Sequence, residues 1–181
     1  MNLEQPAWPR NLPPQAVLAA ATLGPVGTKL PAPGTWGSAA GLVFFFVCFT
    51  QMGYIEFIVI AAAMAYLAVG LCGQAEIQLE SHDPGEVILD EFVAMPLCFY
   101  GWQLIVGTSP LPFLGLLLAG FLLFRFFDIA KPLVIDSLQK LPGGWGIVLD
   151  DTAAALATCA TLHLAHLVWV LAGHGHPAST P

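Results

Sequence analysis

Apolar residues run along this chain in long blocks separated by short polar stretches, with no strict two-residue alternation. Such blocks predict helices that cross a membrane rather than half-buried strands. Five blocks stand out: residues 39–54, broken by Gly53; 55–72, with Glu56 at one end; 92–106; 111–127; and 152–172. Residues 1–14 are Pro-rich and expected to be loosely ordered, 15–23 are apolar but too short to span, and 24–38 read as a Gly/Pro-rich loop. GTSP at 107–110 reads as a turn, and the GHGHPASTP tail at 173–181 as disordered. The expected fold is all-α, a polytopic helical membrane protein with four to five membrane-embedded helices. The count turns on the first block, which falls short of the ~20 residues of a straight span. The expected organisation is an N-terminal segment (1–23), one helical membrane domain (24–172) and the tail, with no internal repeat.

Composition supports this pattern. Charged residues make up 9% of the chain, against about 25% in soluble domains, and the mean hydropathy is +0.76. A soluble helical protein with a very apolar core is the weaker alternative. The first dozen residues lack the apolar core of a cleavable signal peptide, so the first span is expected to direct insertion. Cys48, Cys72, Cys98 and Cys159 form no CxxC pair and sit in apolar runs, as small buried hydrophobes do.

The formal net charge is −7, with 12 acidic residues against 5 basic ones. This speaks against a nucleic-acid partner and against polybasic docking on anionic lipid. A bound divalent cation would invert the local field. If all five blocks cross, then Arg10, Lys29, Arg125, Lys131 and Lys140 fall on one side, together with the polar segments 73–91 and 128–151. The bias of Lys and Arg makes that side cytoplasmic.

Candidate chemistry concentrates in those segments. In HDPGEVILDE, Asp90 and Glu91 adjoin at the start of an apolar helix. Helix capping explains one carboxylate there but not two, which repel unless a cation or proton lies between them. His82 and Asp83 precede the Pro84-Gly85 turn, and a solvated turn is an equally good account of them. In FRFFDIAKP, Arg125, Asp128 and Lys131 are spaced to share one helix face before Pro132. They read either as snorkelling cations around Asp128, or as a metal carboxylate flanked by two phosphate-binding cations. In GGWGIVLDD, Gly143, Gly144 and Gly146 allow close backbone approach to a ligand, and Asp150 and Asp151 open the last helix. Two acidic pairs plus Asp128 suit a hard cation such as Mg²⁺. In PAPGTWGS, Gly34, Thr35, Gly37 and Ser38 offer N–H groups and hydroxyls that could cradle a phosphate, although a simple helix cap is the better account. His163 and His166, inside the last block, read as packing residues.

These four motifs, in this order and spacing, resemble the phosphatidylglycerophosphatase A family over roughly residues 20–160. The resemblance implies a multi-pass, Mg²⁺-dependent lipid phosphatase of the bacterial inner membrane, with its active site facing the cytoplasm. It implies a role in phospholipid biosynthesis, removing the terminal phosphate of phosphatidylglycerophosphate to leave phosphatidylglycerol. On that reading Asp90, Glu91, Asp150, Asp151 and Asp83 are metal ligands. Asp128, Asp90 and Asp150 are catalytic, and Arg125, Lys131, Thr35, Ser38, Gly34 and His82 bind the substrate phosphate. Membrane lipids are the expected surroundings, and a homo-oligomer is compatible with the sequence. Ala94, Val134 and Val148 depart from the family's usual Gly, Pro and Met without removing a charged group. A cation transporter or channel is the competing class, but it needs polar groups through mid-span, where the blocks are apolar apart from histidines. The signatures of CDP-alcohol phosphotransferases and of His-dependent lipid phosphatases are missing.

Overall fold

Prolines open the first three α-helices: α1 (Pro14–Ala21), α2 (Pro25–Lys29) and α3 (Pro33–Phe44). At a first helical position the missing N–H has no intrahelical partner to lose. The computed structural model describes residues 4–107, 113–132 and 134–174, without the side chains of Val134 and His174. Most of the turn expected at 107–110 and of the tail expected from 173 lies outside these residues. Helix α3 runs on as a π-helical turn, Phe45–Phe49. Then come α4 (Tyr54–Leu79), α5 (Leu89–Ala94), a 3₁₀ turn (Met95–Phe99), α6 (Trp102–Val106), α7 (Phe113–Ala130), α8 (Val134–Leu138) and α9 (Gly144–Trp169). The fold is all-helical among the described residues.

Among the described residues, three helices are long and apolar enough to span a membrane: α4, α7, and α9 with the turn that extends it. Pro33–Phe49 is a shorter apolar helix. The block at 92–106 is not one helix. Pro96 falls in the 3₁₀ turn, Tyr100 is extended and Gly101 is left-handed with φ 74°. It still carries the chain across the body. Asp90 and Glu91 lie near Cys72, towards the end of α4, whereas the Tyr100 ring packs on Tyr54, at the start of α4, with centroids 5.7 Å apart. Among the described residues the broken segment therefore runs between the same two ends as α4. The broad faces of α7 and α9 remain apolar and exposed at Leu114, Leu118, Leu122 and Leu164, as lipid contact requires.

Several sequence expectations change. The segment 24–38 is not a loop, because α2 and the first turns of α3 occupy it. The N-terminal stretch is held from Glu4 onward. Gln5 Nε2 donates to Val69 O (2.9 Å), Gln5 Oε1 accepts from Gly144 N (3.0 Å), and Pro9 is buried. Val17 and Ala21 of α1 are fully buried, so residues before 24 join the body. Gly144 packs on α4, since a Cβ there would lie 1.9 Å from Val69 O. Gly146 likewise faces backbone, at Leu141 O. The cysteines are free, and His163 Nδ1 meets Cys159 O at 3.0 Å within its own helix.

Candidate functional site

Four elements meet at one end of the body. Helix α5 presents Asp90 and Glu91 in its first turn. Helix α9 presents Asp150 and Asp151 almost two turns past its start at Gly144, with no acidic residue in its first turn. These aspartates therefore do not open the helix, and capping cannot explain them. Both are nearly inaccessible, at 3% exposure each. Helix α7 supplies Arg125 and Asp128, and the loop before α5 supplies Asp83. Lys131 is not on the helix with Arg125. Helix α7 ends at Ala130, and Lys131 adopts φ 40° before Pro132, whose ring disfavours right-handed helix at the preceding residue.

The result is a cavity of about 140 Å³ lined by six carboxyls, Asp83, Asp90, Glu91, Asp128, Asp150 and Asp151, and by Lys131. Asp90, Glu91 and Asp151 each offer an oxygen, and these oxygens lie within 4.8 Å of one another. Asp90 Oδ1 and Glu91 Oε2 are buried without a hydrogen-bond partner. Leaving such acceptors unmet is costly, and a hard divalent cation meets them with the oxygen chemistry it prefers. The donor set thus fits Mg²⁺.

The remaining charges are paired. Arg125 Nη1 donates to Asp128 Oδ2 at 2.6 Å and stands 3.8 Å from Glu91 Oε1. Lys131 Nζ donates to Asp150 Oδ2 at 2.5 Å. Asp83 Oδ2 accepts from Gln139 Nε2 at 2.7 Å, which ties the loop to the end of α8. Asp90 and Glu91 lie outside the three spanning helices. Burial pushes both carboxyls up, Glu91 to about 7, and negative neighbours add to the shift. For Lys131, burial works downward, but the hydrogen bond and charge of Asp150 outweigh it and raise the ammonium.

The PAPGTWGS residues act beside the cavity. None of Gly34, Thr35, Gly37 and Ser38 lines it. Gly34 is where α3 meets Glu91, since a Cβ would stand 2.2 Å from Glu91 Oε1. Gly37 and Gly41 meet the backbone of α5 at Ile88 O and Phe92 O. Ser38 is fully buried, donates to Gly34 O (2.8 Å) and accepts from Arg125 Nη1 (3.3 Å). Thr35 is exposed on the outside of α3. His82 is exposed and pairs with Glu76. Sequence reasoning missed Gln139, which no local pattern marks, and the packing role of the α3 glycines, which the four-residue spacing of Gly37 and Gly41 does signal. Ala94 and Val148, the family departures with described side chains, are buried among apolar neighbours.

These features define a polytopic helical membrane protein with a hard-ligand acidic centre at one end of its helices. The model of one family, phosphatidylglycerophosphatase A, matches residues 19–166. The *Haemophilus influenzae* phosphatidylglycerophosphatase A is 37% identical over 127 residues, 70% of this chain and 74% of that protein. The *Escherichia coli* phosphatidylglycerophosphatase A is 29% identical over 145 residues, 77% of each chain. A *Bacteroides thetaiotaomicron* protein with a provisional name as a phosphatidylinositol-3-phosphatase is 27% identical over 143 residues, 77% of this chain and 86% of its own. No solved structure matches. The chain belongs to the phosphatidylglycerophosphatase A family and is a phosphatase.

Proposed function

We propose that this chain hydrolyses the terminal phosphomonoester of phosphatidylglycerophosphate, releasing phosphatidylglycerol and inorganic phosphate for phospholipid biosynthesis, with Mg²⁺ as cofactor. The observation that carries the reading is the convergence of Asp90, Glu91 and Asp151, two of them with orphaned buried oxygens, in a chain of this family. We further propose that the reaction takes place at the cytoplasmic face of the bacterial inner membrane. Arg125 and Lys131 stand at the acidic end, the other three basic residues fall on the same side if the five apolar blocks cross, and basic residues favour the cytoplasmic side.

Six carboxyls repel a phosphomonoester dianion, so the site would need a cation to accept this substrate. Asp90, Glu91 and Asp151 would hold it, with Asp150 and Asp83 at the edge of the same cavity. When bound, it supplies Lewis acidity towards the phosphate oxygens. Arg125 and Lys131 are the cations within reach of the transferring group and stabilise the charge it spreads over its oxygens. Asp128, held by Arg125, is the base that orients a water in line with the leaving oxygen and accepts its proton. Ser38 and Gly34 position Arg125 and Glu91, and the proposal gives Thr35 and His82 no role. Attack by an aspartate, Asp90 or Asp150, is the alternative route, and labelled phosphate trapped on the protein during turnover would identify it.

The test is phosphate release from phosphatidylglycerophosphate in detergent, with Mg²⁺ and with EDTA. Release that EDTA abolishes and Mg²⁺ restores supports the reading. Absence of release with Mg²⁺ contradicts it. Faster release from phosphatidylinositol 3-phosphate would move the substrate assignment while leaving the chemistry in place.

A further inference from the structure

Helix α5 has a second working face. On a helix, Leu89, Phe92 and Val93 lie together at i, i+3 and i+4, opposite the side that carries Asp90 and Glu91. They face Met64, Leu67 and Leu71 of α4, which recur at i, i+3 and i+7. Between the two rows lies an entirely apolar cavity of about 160 Å³. Leu67 is 49% exposed at its edge, so the cavity opens to the side of the body, where acyl chains lie. The acidic cavity is level with it, because Cys72, next to Leu71, lies close enough to Glu91 and Asp151 to feel their charge. Val87 lines the acidic cavity and also packs in the apolar cluster with Leu71, Leu89 and Phe92, which joins the two compartments around the start of α5.

We propose that this groove holds one acyl chain of the lipid substrate while its phosphate occupies the acidic cavity. The proposal rests on the lipid-phosphatase reading above. The reach agrees. A helix with its side chains is about 10–12 Å across, so half its girth is about 16–19 Å. The roughly dozen bonds between the terminal phosphate and the first acyl carbon cover most of that path, and the first few acyl carbons complete it. The groove thus distinguishes a diacyl substrate from its bare headgroup, and it anchors the lipid on the far side of the helix that carries two of the metal-binding carboxylates.

Leu67→Trp would fill the groove, and Leu118→Trp on the exposed face of α7 is the control. The substrates are dioleoyl phosphatidylglycerophosphate in mixed micelles and the deacylated headgroup, glycerophosphoglycerophosphate. Leu67→Trp should lower kcat/KM for the lipid about tenfold, mainly through KM, and leave hydrolysis of the headgroup as in wild type. Leu118→Trp should change neither. An equal loss on both substrates, or no loss on the lipid, overturns the groove assignment. A wild-type protein that hydrolyses neither substrate overturns the underlying phosphatase reading, a separate result. A photoactivatable acyl chain on the lipid gives a readout independent of turnover. Crosslinks should concentrate on Met64, Leu71 and Phe92 and yield to excess unlabelled substrate. Crosslinks spread evenly over α7, without competition, would mean bulk lipid contact only and overturn the proposal.

Discussion

Asp90 and Glu91 stand in the first turn of a six-residue helix, whereas Asp150 and Asp151 stand well inside a 26-residue one. The short helix is held in place from outside. Gly34, Gly37 and Gly41 bring α3 against it so closely that a side chain at any of them would collide. The long helix is held along its length by α4 and α7. The two pairs also differ in compensation. Asp150 has the Lys131 ammonium, while Asp90 and Glu91 each keep a buried oxygen without a partner. Asp151, the inner member of its pair, joins Asp90 and Glu91 instead of its own neighbour. The carboxyl cluster therefore runs across elements, and of the Asp150–Asp151 pair one member meets Lys131 while the other joins the group proposed to hold a cation.

Substitutions can break this division. Asp90→Asn or Asp151→Asn should each lower turnover about a thousandfold or more, since each replaces a charged oxygen of the proposed cation site. Asp150→Asn should cost about 10- to 100-fold, as the loss of a supporting contact does. Equal losses at Asp150 and Asp151 would erase the distinction between them. Steady-state phosphate release measures all three, with the circular dichroism of each variant as the check on folding.

Gly34→Ala and Gly144→Ala separate site from scaffold. The first places a methyl against Glu91 Oε1 and should cost about a hundredfold in kcat with little change in Tm. The second drives a methyl into Val69 O and should cost about 1–3 kcal/mol of stability or more. A Gly34→Ala protein with normal turnover would show that Glu91 need not sit where α3 puts it.

The raised carboxyls set a pH dependence. Glu91 titrates near 7 in the folded chain, above its ordinary value of 4.5, so without a divalent cation the fold binds more protons than the unfolded chain between those values. Stability from this group is complete below about pH 4.5 and is lost as pH rises through 7. In EDTA, Tm should fall between pH 5 and about 8, and Mg²⁺ should remove most of that slope, because binding to the ionised site stabilises the fold. A Tm that rises with pH over this range in EDTA would contradict the burial of Asp90 and Glu91. The smallest effect belongs to His82→Ala, which removes an exposed side-chain contact with Glu76 and should change turnover less than about threefold.

The spanning helices are legible because twenty apolar residues in a row leave little else for a chain to do. Their ends are less so. Helix α4 runs on through the polar residues to Leu79 and stops where Glu80 turns left-handed, and α9 begins at Gly144, before the apolar block. Water tolerates either a helix or a loop there, so hydropathy does not mark the boundary. The break at Pro96 and Gly101 is visible as residues but not as geometry, because neighbouring helices decide whether a proline kinks a span or ends it. The carboxylates were legible as adjacent pairs at polar boundaries. Their pairing was not. Lys131 reaches Asp150 across 19 positions, and Gln139 reaches Asp83 across 56. Such contacts follow from the packing of α7, α8 and α9 and leave no local trace.

The central claim is that Asp90, Glu91 and Asp151 form one divalent-cation site across α5 and α9. Mn²⁺ binding followed by electron paramagnetic resonance on the purified, detergent-solubilised chain tests it most directly, because it reads the site without turnover. Wild type should show saturable binding that Mg²⁺ displaces. Asp90→Asn and Asp151→Asn should each lose it, while His82→Ala keeps it. Saturable binding that survives in both Asn variants, or none in wild type, would contradict the account.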